Sequence, residues 1–157
     1  MKRVVIYSDG ASKGNPGDAG IGVVISDTQG NVLREIAEYI GEQTNNVAEY
    51  SALIRGLEEA ADLGATQVEI RTDSELLARQ LTGVYKVKAA NLKPLFEEAI
   101  VLIRVFERVS ISHVVRELNK RADELANEGI KKHKSSLRNP AKPAPTPKKA
   151  GQGKLEI

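Results

Sequence analysis

Residues 53–73 read Leu53-Ile54-Arg55-Gly56-Leu57-Glu58-Glu59-Ala60-Ala61-Asp62-Leu63-Gly64-Ala65-Thr66-Gln67-Val68-Glu69-Ile70-Arg71-Thr72-Asp73, and the pattern changes halfway along. From 46 to 63 the spacing is helical, with Leu53, Leu57 and Ala60 on one stripe, and Gly64 is a C-cap. From Gln67 to Thr72 the period drops to two, Val68 and Ile70 alternating with polar residues, which predicts a strand ending at Asp73. A strand–helix–strand unit makes a parallel, right-handed crossover, so this strand lies parallel to one upstream.

That upstream strand is Val4-Val5-Ile6-Tyr7, a β-branched run over about residues 3–9 that ends at Asp9-Gly10. A loop rich in Gly and Pro is expected from Gly10 to Gly20. A second strand covers Ile21-Gly22-Val23-Val24-Ile25 and a third runs over about 32–40, separated by the turn residues Asp27 to Asn31. Short connections make these three an antiparallel meander. Downstream, Ser74 caps a short helix through Leu81, a longer helix spans about 91–107, and Val109 to Val115 form a fifth strand. Asn119 caps a last helix running to about Lys132. The order βββαβααβα gives an α/β fold: a mixed five-stranded sheet, three antiparallel strands then two parallel, with helices on both faces. Residues 1–133 are expected to be one domain and 134–157 a Lys/Pro-rich tail that cannot bury apolar surface.

Of 157 residues, 41% are hydrophobic and none is cysteine, which excludes a disulfide framework, a thiol nucleophile and a thiolate metal site. No run approaches the roughly 18 apolar residues of a membrane helix. Met1-Lys2-Arg3-Val4-Val5-Ile6 is too short and too β-branched for a signal peptide, so a cytoplasmic monomer is expected. The net charge of +2 is uneven: from Lys131 onward there are eight basic residues and one acid, against fifteen basic and twenty acidic residues before it. A basic arm carrying Lys134, Arg138, Lys142, Lys148, Lys149 and Lys154 on an acidic body suits phosphate contact.

Four acids stand where they should meet. Asp9 and Asp73 close two strands expected to be parallel neighbours, at the edge where open α/β sheets hold ligands. Glu49 precedes Leu53, Leu57 and Ala60 by four, eight and eleven residues, so it points with the apolar stripe toward the sheet. No Lys or Arg shares that stripe, and a buried carboxylate needs a positive partner. Asp123 lies in the first turn of the last helix, three and seven residues before Ala126 and Ile130, and also faces inward. Each has a plainer reading taken singly: turn formers for the two strand-end aspartates, a border of the core for Glu49, the helix dipole for Asp123. Together they suit Mg²⁺ or Mn²⁺, since all-oxygen ligand sets favour hard cations. Acid clusters of this kind hold two ions roughly 3.5–4 Å apart around a phosphodiester.

Four ordered motifs carry a resemblance. They are Tyr7-Ser8-Asp9-Gly10-Ala11-Ser12-Lys13-Gly14-Asn15-Pro16-Gly17, Thr44-Asn45-Asn46-Val47-Ala48-Glu49, Thr72-Asp73-Ser74, and Asn119-Lys120-Arg121-Ala122-Asp123-Glu124-Leu125-Ala126. From residue 3 to about 130 the chain resembles ribonuclease H type 1. The resemblance implies two-metal hydrolysis of the RNA strand of an RNA–DNA hybrid, leaving 5′-phosphate and 3′-hydroxyl ends. It makes Asp9 the bridge between both metals, Asp123 the partner on the nucleophile side, and Glu49 and Asp73 the ligands on the other. Asn15, Asn45 and Asn46 match positions that contact the RNA strand, including the 2′-hydroxyls that distinguish it from DNA. As residue types they also suit turns and caps. Thr44 matches a position that helps hold a DNA-strand phosphate.

His113, ten residues before Asp123, matches a mobile histidine near the leaving group; a half-buried strand histidine is the plainer reading. The family often sets this residue on a flexible loop, whereas here Val114-Val115 are expected to continue the strand, leaving Arg116 to assist as a fixed cation. Only residues 84–90 stand where some members carry a basic protrusion, so Tyr85, Lys86 and Lys88 are expected to touch the DNA strand or to form a solvated loop. Two other readings are a nuclease of this fold acting on DNA and a silent nucleic-acid-binding domain. The Asn15, Asn45 and Asn46 set argues against the first, and retention of all four acids against the second.

Overall fold

In the computed structural model, which describes residues 2–138, the crossover at 53–73 is where the sheet turns from antiparallel to parallel. Strand β1 (Arg3–Gly14) pairs antiparallel with β2 (Gly17–Ser26) on one side and parallel with β4 (Gln67–Thr72) on the other. Strand β3 (Val32–Gln43) extends the antiparallel side and β5 (Arg108–His113) the parallel side, giving the order β3-β2-β1-β4-β5. Helix α1 (Asn45–Asp62) lies between β3 and β4; α2 (Glu75–Leu81) and α3 (Lys93–Ile103) lie between β4 and β5. A short 3-10 turn, Arg116–Asn119, leads into α4 (Lys120–Arg138). No helix among the described residues is long and apolar enough to cross a membrane.

The helices do cover both faces. A Cβ on Gly56 of α1 would meet Ile6 and Val23, while one on Gly22 would strike the backbone of Ala122 and Ala126 in α4. Val23 and Gly22 are neighbours on one strand and therefore point to opposite faces. The α1 side holds the main core: Val4, Ile6, Val23, Ile25, Leu53, Leu57 and Ile70 are all buried. Only a glycine at 22 lets α4 close on the sheet. Capping is as the residue types dictate: Thr44 Oγ1 accepts from Val47 N–H (3.2 Å) and Ser74 Oγ from Leu77 N–H (3.1 Å).

Six expectations need correction. Residues 10–20 are mostly strand, not loop: β1 and β2 continue as a hairpin whose register runs from Gly10↔Ile21 to Gly14↔Gly17. Cross-strand pairing overrides the weak strand propensity of this Gly-rich stretch. Strand β3 extends to Gln43, beyond the expected 40. Helix α3 is shorter than expected at both ends, starting at Lys93 with Pro94 in its first turn and stopping at Ile103. Strand β5 stops at His113: Val114 N–H donates to Thr72 O (2.8 Å), but Val115 is exposed and the chain turns into the 3-10 segment. Asn119 does not cap α4 with its side chain; it is buried and donates its amide to Ser8 O (2.9 Å), leaving Oδ1 without a partner. Helix α4 also runs past the expected Lys132, so Lys134 is helical. Lys142, Lys148, Lys149 and Lys154 of the expected arm lie outside the described residues.

Candidate active site

The parallel register Ser8↔Thr72 sets the next residues, Asp9 and Asp73, side by side where the pairing of the two central strands ends. Helix α1 delivers the third acid. A Cβ at residue 10 would fall 2.2–2.5 Å from the Ala48 and Glu49 backbone, so glycine there lets the helix reach the strand. Glu49 Oε1 then accepts from Gly10 N–H at 3.1 Å. Tyr50, next along α1, donates its hydroxyl to Gln80 Oε1 (2.6 Å), tying this turn of the helix to α2 behind Asp73.

Asp9, Glu49 and Asp73 each offer a carboxylate oxygen within 4.8 Å of the others'. Asp9 and Glu49 are only 5% and 8% exposed, too buried for water to screen their repulsion. Burial first, then the charges of Glu49 and Asp73 and a hydrogen bond with Asp123, push Asp9 up to about 9. Burial and Asp73 push Glu49 up to about 8, against the opposing help of Gly10 N–H and the Arg116 charge. Without cations the site therefore holds protons that carboxylates normally release by neutral pH. This donor set, three convergent oxygens with no lysine or arginine inside it, fits hard divalent cations.

These acids lie in a cleft of about 530 Å³ that also takes in Lys13, Asn45, His113, Arg116, Asp123 and Asn127. Asp123 is half-exposed on the first turn of α4, beside Asp9, with Arg116 Nη2 3.9 Å from its Oδ1. His113 and Arg116 are both exposed on the rim, His113 at the very end of β5 and not inside a continuing strand. Of the four residues matched to substrate contacts, only Asn45 lines the cleft. Asn15 Oδ1 accepts from Asn45 N–H (3.0 Å), joining the hairpin to the start of α1, and Thr44 is occupied as the α1 cap. Asn46 is exposed on the first turn of α1, away from the cleft lining. Tyr85, Lys86 and Lys88 form a separate shallow surface with Leu76 and Val84. Sequence reasoning missed Asn127, whose signal was its position four residues after Asp123, one helical turn along the same face.

A five-stranded sheet of this order, with acids from β1, α1, β4 and α4 meeting at its end, defines the ribonuclease H-like class of fold. A family model described as reverse transcriptase-like matches residues 7–129. Ribonuclease HI of Halobacterium salinarum is 46% identical over 128 residues, covering 82% of this chain and 64% of that protein. The crystal structure of RNase H1 from that archaeon superposes with a TM-score of 0.81 over 82% of this chain and 98% of its own. LC11-RNase H1, isolated from compost and solved in complex with an RNA/DNA hybrid, is 50% identical with a TM-score of 0.80, covering 83% and 98% of the two chains. A bifunctional protein of Mycobacterium tuberculosis is 43% identical over 90% of this chain, which spans 39% of its length. The chain belongs to the ribonuclease H family. It spans less than two thirds of the length of the curated relatives it matches at 43–46% identity.

Proposed function

We propose that this chain is an endonuclease hydrolysing the RNA strand of RNA–DNA hybrids, leaving 5′-phosphate and 3′-hydroxyl ends, with residues 1–133 as the catalytic unit. The observation that carries the reading is the convergence of three buried carboxylates, Asp9, Glu49 and Asp73, with Asp123 beside them. Asp9 faces every other acid and is the residue suited to bridge two ions; Asp123 would serve the nucleophile side and Glu49 with Asp73 the other. Bound there, Mg²⁺, or Mn²⁺ in its place, supplies Lewis-acid polarisation of phosphate and water.

The remaining work falls to the chain's own groups. Gly10 N–H holds one Glu49 oxygen, which leaves the other free to face the cleft. Asn15 and Asn45, hydrogen-bonded where the β1–β2 turn meets α1, with Thr44 and Asn46 either side of Asn45 in the chain, are suited to the RNA 2′-hydroxyls and to a phosphate of the DNA strand. His113, the last residue of β5 and exposed on the cleft rim, would pass a proton at the leaving oxygen. Arg116 offers a fixed charge beside Asp123. A monomer in a reducing cytoplasm suits the cysteine-free sequence.

Incubation with labelled RNA–DNA hybrid, double-stranded RNA, double-stranded DNA and single-stranded RNA, with Mg²⁺ or with chelator, tests the reading. Cleavage confined to the RNA of the hybrid, and lost with chelator, is expected. Equal cleavage of double-stranded DNA, or cleavage that survives chelation, refutes it.

A further inference from the structure

Lys13 is the one side chain of the hairpin that brings a positive charge into the acid-lined cleft. It sits on β1 four residues beyond Asp9, and its ammonium donates to Asn127 Oδ1 at 2.8 Å, across a sequence separation of 114. The same Asn127 amide donates from Nδ2 to Asp123 O (2.9 Å) and lies 3.4 Å from Asp123 Oδ1. Lys13 is therefore held one residue away from the site's fourth acid, by a neutral amide.

That neutral partner separates Lys13 from seven of the arginines; Lys2, at the far end of β1 and outside the cleft, also donates to a neutral group, Leu63 O. Arg3, Arg34, Arg55, Arg71, Arg79, Arg116 and Arg121 each lie within 4.0 Å of a carboxylate. Among the described residues Lys13 makes no ion pair. Its cross-strand neighbour is Asp18, but that carboxylate accepts from the Tyr39 hydroxyl at 2.9 Å. A lysine bonded to an amide keeps its whole charge while losing some of its freedom, and the charge remains available to an anion. A polyanionic strand entering this cleft is repelled by four acids. Cations at the acids offset this at the scissile phosphate, and the neighbouring phosphates need another partner.

We propose that Lys13 grips a backbone phosphate of the strand being cut, next to the scissile one on the hairpin side of the cleft, and that Asn127 positions it there. This rests on the nuclease reading above. Lys13 leaves the amide, or shares it, when the phosphate arrives; no bond to the reacting phosphorus is involved.

The test is equilibrium binding of hybrid duplex as a function of salt, by fluorescence anisotropy, in a non-cleaving Asp9→Asn background. Lys13→Ala should weaken binding roughly 3–10-fold at low salt and make the log–log salt dependence shallower by about 0.9, the loss of one phosphate contact. Lys13→Arg should keep the slope. Asn127→Asp should weaken binding at least as much as Lys13→Ala, because a carboxylate there neutralises Lys13 and adds a fifth acid. Lys2→Ala, at the opposite end of β1, should leave the slope as it was. In the cleaving protein the Lys13→Ala loss should fall on KM more than on kcat. An unchanged slope for Lys13→Ala, or an equal change for Lys2→Ala, overturns the proposal even if the unaltered protein cuts hybrid. Failure of the unaltered protein to cut hybrid overturns the nuclease reading instead.

Discussion

Helix α1 buries two glutamates ten residues apart, and they live in opposite electrostatic surroundings. Glu59 is 4% exposed. Its oxygens accept from Arg34 Nη1 and from Arg55 Nε (3.0 Å), and the two arginines reach on to Asp62 and Glu38. Glu49 is 8% exposed, accepts one backbone N–H, and shares its surroundings with Asp9 and Asp73. Burial alone therefore does not mark a functional acid. What marks Glu49 is burial without compensation: the fold tolerates mutual repulsion there, whereas at Glu59 it supplies cations from β3 and from the helix itself.

The largest test of this contrast is Glu49→Gln against Glu59→Gln. Changes just outside a metal's ligands already cost about 10–100-fold, so loss of a ligand at Glu49 should lower turnover by at least about 100-fold. Melting of the cation-free Glu49→Gln protein should be unchanged or higher, because the site loses a carboxyl whose ionisation is unfavourable there. Asp73→Asn should behave the same way. A Glu49→Gln protein that is folded and turns over hybrid near the normal rate would break the comparison at its root.

Glu59→Gln should do the reverse. Cleavage per folded molecule should stay near normal, while chemical denaturation reports a stability loss of roughly 1.5–3 kcal/mol, the usual cost of losing hydrogen bonds to a buried charge. If stability is unaffected, the arginine pairing is ornamental and Glu59 no longer serves as a contrast.

Stability against pH sharpens the difference further. In the folded, cation-free protein Asp9 rises from 3.8 to about 9 and Glu49 from 4.5 to about 8. The folded state then binds more protons than the unfolded one over that interval, so the stability contributed is full below the unfolded values and is lost as pH rises through the folded ones. The melting temperature without cations should fall steadily from about pH 5 to about pH 9. Glu49→Gln, or saturating Mg²⁺, should flatten the slope. A melting temperature that rises with pH over this range contradicts the geometry.

The smallest effect is expected at Arg55→Gln. Arg34 still pairs with Glu59, so the stability loss should be about 1 kcal/mol, clearly less than for Glu59→Gln. Equal losses would mean that Arg55 alone carries the pairing.

Helical and strand periods made the crossover, the sheet class and the inward face of Glu49 legible in the chain, because these depend on residues within a few turns of each other. Asp9 and Asp73 were readable as neighbours for the same reason: a parallel crossover sets two strands side by side, although β1 itself runs on past Asp9 to Gly14. Where the period is blurred, local reading failed. The Gly-rich residues 10–20 look like a loop, yet pairing with β2 makes most of them strand. The end of β5 at His113 depends on where β4 ends beside it, not on the β-branched Val114-Val115. Glu59 stands one residue before Ala60 of the apolar stripe, and nothing in its own helix shows that Arg34 of β3 waits across from it. Lys13 and Asn127 are the extreme case, two polar residues unremarkable in sequence until α4 crosses the hairpin. A sequence states which face each element buries and where each acid stands on it. Which charges it then meets is decided only when elements far apart in the chain pack together, and that decides whether a buried acid is neutralised by the protein or left to bind cations.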